Sequence, residues 1–166
     1  MRVDIIAENA EEWDVLAALI KPTTLTDAEA IQAVSELRQA ELPVRYGLIG
    51  DLEKIRIVDF ENPGDSEFTL VLSAVEILGR YEPEFGHKTI YREYLTTLVE
   101  AWLRDVAYGW KSEKDTDPPA LEAIQSIGLA QALKQGTTRS EVIIETDPVR
   151  RDKLRHRCFE RPRSEW

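Results

Sequence analysis

The spacing of apolar residues changes near Val44, and a chain that switches period in this way has to place helices and strands against one core. From Val44 to Ile49, Ile55 to Phe60 and Glu67 to Leu78 the residues are rich in β-branched and aromatic types, with Phe68, Leu70, Leu72 and Ala74 alternating with Thr69, Val71 and Ser73. Between the last two segments stands Glu61-Asn62-Pro63-Gly64-Asp65-Ser66, a turn sequence. The expectation is an antiparallel hairpin, Ile55 to Phe60 with Glu67 to Ala74, joined by a six-residue loop.

Helical spacing flanks this centre. After a short strand over residues 2–7, Asn9-Ala10-Glu11-Glu12 reads as a helix start, and Trp13, Leu16, Ala17 and Ile20 fall at the spacing of one helical face that ends at Pro22. A second helix opens at Thr26-Asp27-Ala28-Glu29, a capping box, with Leu25 and Ala30 placed as a staple and Ala30, Ile31, Val34 and Leu37 as its inner stripe; Pro43 marks its end. Beyond a polar loop at residues 79–87, Tyr91, Leu95, Leu98, Trp102 and Val106 share one face of a long helix over roughly Thr89 to Trp110, widened by Tyr94, Val99 and Leu103. Residues 111–119 resemble a linker. Asp117-Pro118 then starts a helix over Ala120 to Gln135, with Gly128 as a break and Gly136 as its stop. Glu141 to Thr146 reads as the last strand and Asp147-Pro148 as the opening of a final basic helix. The element order, βααβββααβα, implies an α+β fold: a small, mostly antiparallel sheet with a central hairpin, packed against about four helices, plus a basic C-terminal helix or tail.

Charge divides the chain in two. Residues 1–149 hold 14 Lys/Arg and 28 Asp/Glu, a net of −14, whereas residues 150–166 hold 7 and 3, a net of +4. The expected organisation is therefore a single acidic domain over 1–149 and a basic segment over 150–166. The acidic balance argues against broad binding to nucleic acid or anionic lipid. A lone cysteine, Cys158, fits a reducing compartment. The opening Met1-Arg2-Val3-Asp4-Ile5-Ile6 places an acid where a signal peptide needs an apolar core, and the longest apolar stretch, Phe68 to Leu78, is interrupted by Thr69, Ser73 and Glu76. A cytoplasmic protein without a membrane span is expected.

Motifs for chemistry are sparse. Gly47 and Gly50 lack the third glycine or the lysine of a phosphate cradle and read as a turn between strands. Cys158 lies among Arg155, His156 and Arg157, which favour a thiolate, but no second histidine stands near to make a catalytic pair. Glu82, Glu84 and His87 bring two carboxylates and an imidazole into one loop, a generic spacing for a metal or for acid–base work. No cofactor is expected.

The basic segment departs most from the rest. Arg150, Arg151, Lys153, Arg155, Arg157, Arg161 and Arg163 fall within fourteen residues. They can fold onto the protein's own acidic surface, dock on an acidic partner or neighbouring subunit, or contact phosphates of RNA or DNA against the repulsion of the acidic body. Trp13 and Trp102 read as core, while Trp110, at a helix end, is a candidate interface anchor. The expected role is a non-catalytic module that binds a protein partner or its own copy, in the manner of an inhibitor or immunity protein or an accessory subunit. A small carboxylate- or metal-dependent enzyme is the alternative, and nucleic-acid contact through the basic segment the second alternative.

Overall fold

Asn9 accepts hydrogen bonds from the backbone N–H groups of Glu11 and Trp13, both at 2.9 Å, as a capping residue would. The chain nevertheless reverses there instead of coiling. The Asn9 N–H donates to the Trp13 carbonyl at 2.9 Å, and Glu12 closes the turn at φ 65°. A hairpin results, joining β1 (Arg2–Glu8) to β2 (Asp14–Ile20). The helix expected from Trp13, Leu16, Ala17 and Ile20 is therefore a strand. Leu16, Ala17 and Ile20 belong to the run Val15 to Ile20, which is apolar throughout and buried on both faces, so that it satisfies helical spacing by accident, while Trp13, expected in the core, stands half-buried in the turn before it.

The computed structural model describes residues 2–108 and 117–143, apart from the side chain of Glu141. The remaining elements are α1 (Asp27–Gln39), β3 (Tyr46–Gly50), β4 (Lys54–Asp59), β5 (Leu70–Ser73), α2 (Ala74–Leu78), α3 (Arg92–Tyr108), α4 (Leu121–Ser126), α5 (Leu129–Leu133) and β6 (Thr137–Ile143). The strands form one sheet in the order β5-β4-β3-β2-β1-β6. Four of its five pairings are antiparallel; β2 and β3 alone run parallel, because α1 carries the chain back between them. The mixed α+β class and the mostly antiparallel sheet agree with the reading of the sequence, and five helices stand among the described residues.

Each face of the sheet has its own cover. On one, Ala33, Val34 and Leu37 of α1 meet Ile6, Ala17, Leu19, Ile49 and Val58. On the other, α2 to α5 bury Ile77, Leu95, Val99, Trp102, Ile124 and Leu133 against Ile5, Leu16, Ala18, Leu48 and Ile57. The Thr26 capping box forms in full, Thr26 accepting from the Glu29 N–H and Glu29 from the Thr26 N–H. Ile31 leaves the expected stripe, 38% exposed, and its place is taken by Ala33. Tyr91 precedes α3 and stands in solvent at 71% exposure.

The β4–β5 hairpin is antiparallel as its alternation requires, with Ile57 opposite Leu70. Its connection, residues 60–69, is longer than the six expected, since Asp59 turns inward to accept from the N–H groups of Glu61 and Asn62. The strand expected to reach Leu78 stops at Ser73, whose hydroxyl accepts from the Glu76 N–H and starts α2.

The break at Gly128 is present, its φ of 80° separating α4 from α5 while the Tyr46 hydroxyl donates to the Ile127 carbonyl at 2.7 Å. The stop after α5 works differently from expectation. Gln135, at φ 62°, makes the left-handed turn, and Gly136 is needed because a Cβ there would lie 1.8 Å from the Glu8 carbonyl oxygen. The final strand accordingly begins at Thr137, four residues before Glu141. Among the described residues no helix is long and apolar enough to cross a membrane.

Candidate functional site

Trp110 and the seven cationic residues Arg150, Arg151, Lys153, Arg155, Arg157, Arg161 and Arg163 lie outside the described residues, as does Cys158. The loop with Glu82, Glu84 and His87 is described. Lys88 reaches into it, pairing with Glu82 and lying 3.8 Å from Glu84. Its ammonium occupies the position between carboxylates that a bound cation would need, and the Glu82 hydrogen bond raises the lysine pKa, keeping it charged. His87 is exposed. Among the described residues no three His, Cys, Asp or Glu side chains converge as a metal site.

The structure instead brings polar side chains together where α3 crosses β1 and β6. The apolar residues of α3 face the sheet, so Arg92, Thr96 and Glu100, spaced by four, line the flank above the β1–β6 edge. A cleft of about 160 Å³ lies there, bordered also by Asp4 and Ser140. Asp4 is 6% exposed. Its Oδ2 accepts from the Ile20 N–H at 2.7 Å, replacing a ladder bond where β1 parts from β2. Its Oδ1 lies 4.0 Å from Arg92 Nη1, and Arg92 Nη2 lies 3.8 Å from Glu93.

Arg92 therefore stands at ion-pair distance from two carboxylates, with neither contact short enough to be a hydrogen bond. Deeper along the helix the arrangement tightens. Glu100 accepts from Thr138 at 2.8 Å and from Arg104 at 3.3 Å, and Arg104 Nε donates to Thr138 at 3.0 Å. The outer part of the cleft can hold a small polar molecule, with guanidinium donors on one side and a carboxylate acceptor on the other.

A second buried charge sits at the other end of the sheet. Asp51 is fully buried after β3 and Arg56 is 2% exposed on β4. Asp51 Oδ1 accepts from the N–H groups of Glu53 and Lys54, both at 2.7 Å, and Oδ2 accepts from the Leu25 N–H and Arg56 Nη1, both at 3.0 Å. Burial pushes the Asp51 carboxyl up, but the three backbone donors and Arg56 together hold it below the ordinary range. Arg56 also reaches the Leu25 carbonyl and Asp27 at 3.4 Å. This cluster ties the β3–β4 turn to the approach of α1, and every acceptor position on Asp51 is occupied.

Sequence reasoning passed over both clusters. The available signal was a charged residue inside an apolar strand: Asp4 in Val-Asp-Ile-Ile and Arg56 in Ile-Arg-Ile.

No protein family matches the chain, and no solved structure matches it. Over 134 residues it is 28% identical to "Probable translation initiation factor IF-2" of Archaeoglobus fulgidus. That similarity covers 77% of this chain and 21% of the archaeal protein, so the chain spans about a fifth of the length of the curated relative it matches.

Proposed function

We propose that this chain is a non-catalytic module that docks on a protein partner, as an accessory subunit or inhibitor does, using separated charge. The observation that carries the reading is the split between a body of net −14 and a segment of net +4. The body's internal ion clusters support it: Arg56 is held by Asp51, Lys88 by Glu82, and Arg139 by Glu8 and Asp14, so several of the body's few cations are taken up within it. An acidic body and a cationic segment within one chain suit heterotypic docking, with charge setting orientation and on-rate more than affinity.

The test is a pull-down from the native source with the full chain and with a full chain carrying Arg150→Glu, Arg151→Glu, Lys153→Glu and Arg155→Glu. A protein partner retained by the first and lost by the second is expected. A partner held equally by both removes the cationic segment from the reading.

The similarity to part of an archaeal protein called a translation initiation factor favours a second reading, in which the larger assembly is the translation machinery and the cationic segment meets RNA. Seven Lys/Arg would then release counterions from phosphate, giving affinity for ribosomal RNA that falls steeply with salt. Salt-insensitive binding would exclude phosphate contact as its source.

A further inference from the structure

The cleft between α3, β1 and β6 holds charged groups whose bonding capacity the fold leaves unused. The Asp4 side chain is 9% exposed, and its one hydrogen bond among the described residues is the bond that Oδ2 accepts from Ile20. Oδ1 accepts none. A carboxylate oxygen taken this far out of water without a donor is costly to keep, and here it borders an open space. The Arg92 guanidinium, partly exposed, makes no hydrogen bond among the described residues either; it stands 4.0 Å from Asp4 and 3.8 Å from Glu93. The other buried pair of opposite charge, Asp51 and Arg56, is closed at 3.0 Å. Farther along α3, Glu100 is largely buried and accepts from Thr138 and Arg104 through Oε2 alone, which leaves Oε1 without a donor among the described residues.

These groups restrict what the cleft can take. Asp4, Glu93 and Glu100 face Arg2 and Arg92 around it, three carboxylates against two guanidinium groups, a net of −1. A simple anion at Arg92 would meet Asp4 and Glu93, and a simple cation at Asp4 would meet Arg92. A molecule that carries an anion and a cation on neighbouring atoms answers both. Arg92 is the first residue of α3, and its side chain leans back past the helix N-terminus, where the helix dipole also favours an anion. Arg92 and Glu100 are eight residues apart on α3, so the unused oxygen of Glu100 lies about 12 Å along the helix from the Arg92 end. The volume, about 160 Å³, is roughly half that of the smallest sites for drug-sized ligands, which limits the occupant to a small metabolite.

We propose that this cleft binds a free α-amino acid with a basic side chain, its carboxylate on Arg92, its α-ammonium on Asp4 Oδ1 and its side-chain cation on Glu100 Oε1. Each charge of the ligand then meets a protein group that has no hydrogen-bond partner of its own among the described residues. The net charge of such a ligand also offsets the net −1 of the lining. Thr138 and Arg104 hold the other oxygen of Glu100, and the Ile20 N–H holds the other oxygen of Asp4, so both carboxylates are oriented before the ligand arrives. The site needs no part of the docking reading above.

The test is isothermal titration calorimetry of the full chain with L-lysine, set beside lysine amide, Nα-acetyl-lysine, glutamate and glycerol. Lysine should bind one-to-one with a dissociation constant of about 1 mM or below. Lysine amide lacks the carboxylate and Nα-acetyl-lysine the α-ammonium, and each should bind at least roughly tenfold more weakly, since each loses hydrogen bonds between charged groups. Glutamate and glycerol should be weaker than lysine by a similar factor or more. Asp4→Asn has to keep its carbonyl oxygen on the Ile20 N–H, which turns the amide N–H donors toward the cleft in place of an acceptor. It should weaken lysine about tenfold or more while its urea midpoint stays close to that of the wild type. Arg92→Gln removes no side-chain hydrogen bond found among the described residues and should act in the same way. Absence of lysine binding at about 10 mM overturns the proposal. So does glycerol binding as tightly as lysine, which would make the cleft a polyol site, and so does lysine binding that neither variant weakens, which would place the ligand elsewhere.

Discussion

Asp51 and Asp4 are both buried carboxylates at ends of the same sheet, yet they are built for different things. Both oxygens of Asp51 accept two donors each, three from backbone and one from Arg56. Asp4 uses one oxygen on the Ile20 N–H and leaves the other 4.0 Å from Arg92 beside an open cleft. A saturated carboxylate holds structure and has no capacity to bind anything else, whereas a half-used one at a cleft can do both. The difference lies in donor count rather than in burial, since neither residue is more than 6% exposed.

The largest expected effect breaks the first member of the pair. Asp51→Ala leaves buried Arg56 with only its longer contacts to Asp27 and the Leu25 carbonyl, and three backbone N–H groups without an acceptor, for a cost of about 3–5 kcal/mol in urea unfolding. Asp51→Asn should be nearly as damaging, because an amide nitrogen in place of either oxygen would face two donors. An Asp51→Asn variant as stable as wild type would show that saturation is not what holds this corner.

Acid should weaken the Asp51 corner together with a second donor-rich carboxylate, Asp59. Burial raises the Asp59 carboxyl, but Arg45, bonded at 3.0 and 3.1 Å, and the N–H groups of Glu61 and Asn62 hold it below its ordinary value, as the donors around Asp51 do there. A carboxyl whose folded pKa lies below its unfolded value favours folding at pH above the unfolded value, roughly 4. The contribution is lost as the pH falls from there through the folded value. Urea midpoints should therefore be level from neutrality to about pH 5 and fall below about pH 4. Asp51→Asn should flatten that fall, and an unchanged slope would remove Asp51 from its causes.

The parts of this fold that could be read in the sequence are those fixed by neighbours along the chain. The Thr26 capping box, the β4–β5 hairpin, the buried stripe of α3 and the break at Gly128 each follow from residues within one turn or one loop of each other. The strand identity of Asp14–Ile20 could not be read this way, because it is decided by β1 and β3 on either side of it. Asp51 likewise depends on Leu25 in a distant loop. The candidate cleft needs β1, α3 and β6 together, residues 4, 92 and 140, and no local spacing links them. Glu82, Glu84 and His87 attracted attention for the opposite reason: they are close in sequence, and Lys88, next to His87, answers the carboxylates.

The smallest effect is expected at Asp4 and is the sharpest check on the comparison. Asp4→Asn can keep a carbonyl oxygen on the Ile20 N–H and removes only a charge 4.0 Å from a partly exposed guanidinium, so it should cost under about 1 kcal/mol. Asp4→Ala leaves that N–H without its acceptor and should cost about 1–3 kcal/mol. The gap between the two variants isolates the hydrogen bond from the charge. At Asp51 the same two substitutions should differ little, because there the amide fails as completely as the alanine. If Asp4→Asn were as costly as Asp51→Asn, the Asp4 charge would be as deeply committed to the fold as that of Asp51, and the cleft beside Arg92 would be a packed corner of the structure rather than a place where a ligand can enter.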